Sequence, residues 1–144
     1  MPCRGDEAVT SPVLALRRAI LDRALEDGEL LSLMGGTLRL YDEPPRAAAP
    51  IYALFGDVTA KDWSTDTDRG HDQVLSIVVW GERGSARDAL AAAERFSDIL
   101  DDARIPLEGH RLVTLRATEL TAVRDRDTQQ TRATLRLRAL TEVA

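Results

Sequence analysis

The feature that most constrains the fold is an apolar run at residues 74–80, which only Ser76 interrupts. A strand with one face in water alternates apolar and polar side chains, so a run of this kind is typical of a strand at the centre of a sheet with both faces covered. Gly81 and Gly84 follow the run and predict a turn. The sequence therefore predicts a central strand that the other segments must cover.

A helix is predicted directly after this turn, over residues 86–100. Ser85 is a suitable N-cap, and Asp88 stands three residues later, as in a capping box. Small and apolar residues recur at helical spacing through the segment, at Ala89, Leu90, Ala93, Phe96, Ser97 and Leu100. We expect this helix to pack on the sheet and to form the nucleus of the fold with the central strand.

The flanking segments predict a second long helix and several further strands. Ser11 and Pro12 are typical of a helix start, and Gly28 is typical of its end. Bulges are expected at Gly56 and near Glu119. The strands are predicted at residues 38–41, 52–63, 111–123 and 131–140. The predicted fold class is α+β, with a mainly antiparallel sheet of four to five strands and two main helices packed on one face.

Length and charge limit the classes of protein that fit. The chain has 144 residues and a net charge of −5, which fits one soluble domain over residues 1–144, with residues 1–10 as a flexible lead. No apolar run approaches the roughly 20 residues that cross a bilayer, and the N-terminus is too polar for a signal peptide. We therefore expect assembly in the cytoplasm. The acidic balance argues against non-specific binding of nucleic acid, and the single cysteine, Cys3, excludes an internal disulfide.

Four aspartates crowd one predicted loop, at Asp62, Asp66, Asp68 and Asp72. Their spacing is similar to part of a calcium loop, but the third acidic ligand is missing and the distal glutamate position falls on Ile77, inside the strand. We interpret these aspartates as turn formers in a solvated loop.

The residue types that carry catalysis lack suitable partners. His71 and His110 are the only histidines, and neither has a partner at metal-ligand spacing. Ser85 and Ser97 do not stand in the sharp strand-to-helix turn that exposes a nucleophile. The residues therefore predict no catalytic centre and no metal site.

Short strand and turn motifs run through most of the chain. They are Pro50-Ile51-Tyr52, Gly56-Asp57-Val58-Thr59, His71-x-x-Val74-x-x-Ile77-x-Val79-Trp80, Gly84 with Ala89, His110-Arg111-Leu112 and Leu135-Arg136-Leu137-Arg138-Ala139. Together they resemble the tail-terminator (tail-completion) proteins of long-tailed phages and gene transfer agents. The resemblance extends from the first helix to the last strand, and the arginine-rich, lysine-poor composition suits a gene-transfer-agent member.

This resemblance implies a structural protein that forms a hexameric ring, with no catalysis and no cofactor. Such rings cap the head-proximal end of the tail tube, stop its polymerisation and meet the head. The implied partners are further copies of the chain, the major tail tube protein and the head–tail connector or stopper protein, with DNA only passing through the channel and no membrane. The implied location is the tail neck of a virion or gene transfer agent particle.

Two polar hairpin tips and a row of outward arginines are the candidate contact surfaces of such a ring. We expect one or both tips to reach the tube or a neighbouring copy and to become ordered on contact. We also expect the arginines to pair with Asp98, Asp101 and Asp102 of an adjacent copy. The candidate interface residues are Asp62, Trp63, Asp66, Asp68, Arg69, Arg124, Arg126, Arg132, Arg136 and Arg138.

Two other functions fit the sequence. One is a different neck component, such as a head–tail adaptor or stopper. The other is a small α+β ligand-binding or regulatory domain with a pocket between its helices and its sheet. A metal-dependent enzyme at the aspartate loop is disfavoured by the missing ligands.

Overall fold

The computed structural model describes residues 11–46 and 49–144, so the flexible lead predicted at residues 1–10 lies outside the described residues. Within these two ranges, none of the helices has the length and apolar character needed to span a membrane. In chain order the elements are α1 (Pro12–Leu25), α2 (Gly28–Leu33), β1 (Leu40–Tyr41), β2 (Ile51–Asp62), β3 (Gly70–Gly81), α3 (Ala86–Leu100), β4 (His110–Arg124) and β5 (Thr131–Val143).

The five described strands form one sheet in the order β1-β2-β3-β5-β4. β1 runs parallel to β2, and the other neighbouring pairs are antiparallel. β3, which holds the apolar run, is the middle strand. The predicted α+β fold with a mainly antiparallel sheet is therefore confirmed.

The prediction that both faces of β3 would be covered is correct for only one face. Leu75, Ile77 and Val79 are buried in one cluster with the apolar side chains of the three helices. The opposite face, which we call the helix-free face, carries Val78, which is only half-buried. On this face Arg132 lies over the indole ring of Trp80, with its guanidinium carbon 5.7 Å from the ring centroid. Side chains of neighbouring strands thus take the place of a second covering layer.

The helices begin at side-chain or main-chain caps that satisfy their first amide groups. Ser11 Oγ accepts a hydrogen bond from the Leu14 amide at 3.3 Å, so the predicted start of α1 is confirmed. Ser85 is the N-cap residue of α3, as predicted, but its side chain makes no capping hydrogen bond. Its carbonyl accepts from the Ala89 amide at 2.9 Å, which is the first hydrogen bond of the helix.

Gly81 fixes how closely α3 approaches the sheet. A Cβ atom at this position would lie 2.8 Å from the Ala89 Cβ and 2.8 Å from the Ser85 carbonyl oxygen. We expect Gly81→Ala to lower the free energy of unfolding by about 2 kcal/mol, because the helix start must move. Urea denaturation measures this change.

Gly28→Ala is the matched control for that substitution. A Cβ atom at Gly28 would meet no atom within 4 Å, and alanine favours a helix by roughly 0.5–1 kcal/mol over glycine. We expect this variant to be as stable as the natural chain or slightly more stable. Equal losses in both variants would show that close packing at Gly81 is not the cause.

Candidate interaction surfaces

The first polar tip, residues 62–70, joins β2 to β3 and is held by its own hydrogen bonds. Asp62 Oδ1 accepts from the Ser64 amide at 2.9 Å, and bonds from the Ser64 hydroxyl and amide hold the pKa of Asp62 below its usual range. Thr65 and Asp68 bond to each other twice, at 2.8 and 3.1 Å. These bonds link the two sides of the tip, and its ordering on contact with a partner stays a prediction.

Trp63 anchors this tip against the sheet. A Cβ atom at Gly70 would lie 2.5 Å from the Trp63 Cε2 atom, so the indole packs directly on the glycine. The indole Nε1 atom is buried and has no hydrogen-bond partner in the described part of the chain. Beyond this anchor the tip is exposed. The exposed candidate residues on it are Asp62, Asp66, Asp68 and Arg69.

The aspartates predicted to share one loop do not all lie together. Asp72 is in β3, where it forms an ion pair with Arg138 of β5. Within residues 11–46 and 49–144 no three His, Cys, Asp or Glu side chains are grouped so that they could hold a metal ion.

The second polar tip, residues 124–130, joins β4 to β5. Asp125 Oδ1 accepts hydrogen bonds from the amides of Asp127 and Thr128, at 2.8 and 3.2 Å. These two bonds, the one from Thr128 first, hold the pKa of Asp125 below its usual range. Arg124 and Arg126 are exposed on this tip. The tip is therefore also a preformed turn with basic side chains in water.

The row of three arginines on β5 lies on the helix-free face, and its members have different environments. Arg138 Nε and Nη2 donate to both carboxylate oxygens of Asp72, at 3.0 and 2.7 Å, and this contact lowers the pKa of Asp72. Arg136 is 3.9 Å from a carboxylate oxygen of Glu119 on β4. Arg132 lies over the Trp80 ring. The row is therefore built into cross-strand contacts of its own chain.

At each edge of the sheet, part of a strand has no described strand beside it on its outer side. β1 pairs with β2 only at Ala53 and Leu54, so residues 57–62 of β2 have no described strand on the side away from β3. At the other edge the α3–β4 connection covers β4, since the Asp102 amide donates to the Leu115 carbonyl at 2.7 Å. The exposed residues 118–124 lie beyond this contact.

Sequence reasoning did not identify these edges, because the order of strands in a sheet depends on contacts between distant segments. The available signal was the slip in the apolar pattern near Glu119. The structure has a register shift there, between Ala117 and Glu119. After it, Leu120 and Val123 are large apolar residues that are 38% and 53% exposed. Exposed apolar residues on an edge strand are typical of a surface that pairs with another chain.

The space between the helices and the sheet is filled by side chains in the described part of the chain. Leu16, Ile77, Phe96 and Leu135 are among the fully buried residues that meet there. The grooves on the described surface are open to solvent, such as one of about 720 Å³ beside β4 that Val113 lines. This packing gives no support to the alternative of a ligand pocket between the two layers.

Comparison with known proteins bears on the role of these surfaces. A family model described as tail completion protein gp17 matches residues 18–142. Among solved structures, a chain from a structure described as the virion of a native gene transfer agent particle is 30% identical and has a TM-score of 0.83. The match covers 93% of this chain and 99% of that chain. No curated protein sequence matches this chain.

Proposed function

Because the chain belongs to the tail completion protein gp17 family, we propose that it forms a hexameric ring that caps the head-proximal end of a tail tube, stops tube polymerisation and joins the tail to the head connector. The coarser conclusion is that the chain is a structural tail protein of a virion. The observation that carries the proposal is the match to a chain of a gene transfer agent virion, since it includes almost the whole of both chains.

The two uncovered edges supply a way to close the ring. A ring needs a contact between two different surfaces of the same chain, placed so that successive copies return to the first. Residues 57–62 of β2 and residues 118–124 of β4 lie on opposite edges of one sheet. β2 and β4 run antiparallel, because each neighbouring pair from β2 to β4 is antiparallel. The free segment of β2 lies at the first-tip end of the sheet and that of β4 at the second-tip end. Copies in the same orientation therefore add strand to strand in the antiparallel pattern with a stagger, as in a barrel of tilted strands.

This edge contact replaces the expected contact between arginines and the acidic end of α3. Asp101 Oδ1 already accepts hydrogen bonds from Arg116 Nε at 2.9 Å and from the Ala117 amide at 3.0 Å. Arg138 already holds both oxygens of Asp72. Pairing of Asp101 or Arg138 with another copy would have to break these bonds, whereas no described strand occupies the two edge segments.

The two tips lie at opposite ends of the sheet. Gly70, next to the first tip, pairs with Glu142, and Gly81, at the far end of β3, pairs with Thr131 next to the second tip. With the strands directed along the channel, one tip meets the tail tube and the other meets the head connector. The major tail tube protein and the connector or stopper are thus the proposed partners, one for each tip.

Shortening each tip in turn tests this division. We expect replacement of residues 65–68 by Asn-Gly, and separately of residues 126–129 by Asn-Gly, to leave the fold intact, since each segment is exposed and two-residue turns of this type close hairpins. One variant should give tails of irregular length, and the other should give tails of normal length without heads. Electron microscopy of the particles measures both. Normal joined particles from both variants would exclude a role for the tips.

Particles made without this protein test the proposed function as a whole. We expect tail tubes of variable length that do not carry heads, because polymerisation has no stop and the joint is missing. Tubes of normal length that accumulate apart from heads would instead favour an adaptor or stopper. Normal particles would overturn both functions.

A further inference from the structure

The helix-free face carries a concentration of basic side chains in a chain whose net charge is −5. Arg132, Arg136 and Arg138 alternate along β5 opposite Trp80, Ser76 and Val74 of β3. Lys61 of β2 and Arg116 of β4 fall on the same face by their pairing register, although the Arg116 side chain is bonded to Asp101. A row of arginines on one face is the surface that a phosphate backbone fits. Duplex DNA is therefore the partner that charge complementarity indicates for this face.

Carboxylates stand beside two of the three arginines that would bind phosphate. The planar guanidinium presents a fork of donors that matches a carboxylate or a phosphate equally well. Asp72 fills the fork of Arg138, with both its oxygens bonded at 3.0 and 2.7 Å. Glu119 lies 3.9 Å from Arg136. The remaining arginine of the row, Arg132, has the Trp80 ring beneath it and no ion pair within the described residues.

The ring places this face toward its channel, and this step rests on the proposed function. When the edges of the sheet join, the sheet closes on itself and one of its faces becomes the inner wall. The helices must lie outside the closed sheet. A layer about 10 Å further from the ring axis than the sheet has a circumference roughly 60 Å longer, so it has the room that the wider helices need. The helix-free face then lines the channel through which DNA passes.

We propose that the helix-free face contacts duplex DNA in transit, and that Asp72 and Glu119 keep Arg138 and Arg136 from binding the phosphates. Every phosphate that an arginine neutralises releases counterions and makes binding tighter and more dependent on salt. A bare row repeated in each copy of a ring would hold DNA in the channel. Paired arginines leave a wall with little affinity, along which the duplex slides.

The test is DNA binding by the purified full-length chain, measured by fluorescence anisotropy with a labelled duplex of about 20 base pairs. We expect the double variant Asp72→Asn, Glu119→Gln to bind about tenfold or more tightly than the natural chain at 50 mM salt, through two added phosphate contacts. Its slope of log affinity against log salt should be steeper by about 2. Adding Arg136→Gln and Arg138→Gln should return both values to those of the natural chain.

The matched control is Glu43→Gln with Glu94→Gln, two exposed residues outside the helix-free face. It changes the net charge by the same two units, so an equal gain in DNA affinity would overturn the proposal in favour of a general charge effect. Unchanged DNA affinity in the Asp72 and Glu119 double variant would also overturn the proposal. So would tighter binding of that variant to polyglutamate without tighter binding to DNA, since the exposed arginines would then select carboxylates and not phosphates. Glu119→Gln alone, at an exposed site, keeps the test valid if the double variant fails to fold, and its slope should change by about 1.

Failure of this inference is separable from failure of the ring. The copy number and position of the chain in assembled particles test the ring and do not depend on DNA affinity. A ring whose Asp72 and Glu119 variant shows no added DNA binding would overturn the role of the carboxylates alone. Added DNA binding in a chain that forms no ring would overturn the proposed function and leave the masking of the arginines intact.

Discussion

Replacement of Asp27 by asparagine is expected to lower the free energy of unfolding by about 2 kcal/mol and the midpoint of thermal unfolding by roughly 4–8 °C. Asp27 accepts hydrogen bonds from Arg95 Nε and Nη2 at 2.8 and 2.6 Å, and its side chain is only 10% exposed. The substitution leaves the partly buried Arg95 charge with only the exposed Glu29 as counter-ion, which costs more than the loss of an exposed pair. This ion pair ties the start of α2 to the middle of α3.

Replacement of Asp27 by alanine should cost about 1 kcal/mol more than asparagine. The Asp27 carboxylate also caps α2, by accepting from the Leu30 amide at 2.9 Å. An asparagine side chain can still make that cap, whereas alanine cannot. Glu29→Gln is the control, because Glu29 is 67% exposed and lies 3.5 Å from Arg95. That variant should change stability by less than about 0.5 kcal/mol.

The Asp27 effect should depend on pH. The hydrogen bonds from Arg95, followed by the bond from the Leu30 amide, lower the pKa of Asp27 from 3.8 to about 2. Because the folded-state pKa is the lower one, the added stability is fully present above pH 3.8 and is lost as the pH falls toward 2. The gap between the natural chain and Asp27→Asn should therefore close across this window. A gap that stays constant down to pH 2 would show that packing, and not charge, accounts for it.

Ala122→Lys is expected to abolish assembly of the ring without unfolding the chain. Ala122 is exposed on β4 and pairs with Ala133 of β5, so its side chain points to the helix side of the edge. An inward-pointing lysine on an edge strand opposes the addition of another strand, because its charge would have to pack between the joined sheet and the helix layer. The cost recurs at every contact around the ring. Native mass spectrometry and electron microscopy of the particles measure the loss.

Ser32→Lys is the control for the edge variant. Ser32 is exposed on α2, which is not part of the proposed contact, and the substitution adds the same charge. We expect urea denaturation to give both variants the stability of the natural chain to within about 0.5 kcal/mol. Only Ala122→Lys should lose assembly. Normal rings from the edge variant would exclude β4 as the surface between copies.

The sequence predicted those elements whose signal lies within a short segment. The apolar run of β3 identifies a central strand, although only one of its faces is covered by helices, and the helical spacing from Ala89 to Leu100 identifies α3 and the face that it buries. The bulge expected at Gly56 is present as a register shift between Phe55 and Val58. A Cβ atom at Gly56 would lie 2.3 Å from the Ser76 hydroxyl oxygen, which explains why glycine stands there.

The parts that were missed depend on residues far apart in the chain. Arg95 is 68 residues from Asp27, and Arg138 is 66 residues from Asp72. No local pattern pairs such residues, and the charges alone allowed many other partners. At Ser85 the local pattern gave the right N-cap position but not the side-chain hydrogen bond, which is absent. The order of the strands, and therefore the position of the two uncovered edges, can be known only from the complete fold.

Cryo-electron microscopy of assembled particles that contain this protein measures its position and copy number directly. We expect a closed ring of six copies at the head-proximal end of the tail tube, with β2 of each copy beside β4 of the next. A single copy in each particle, or a ring at the far end of the tail, would contradict the proposed function.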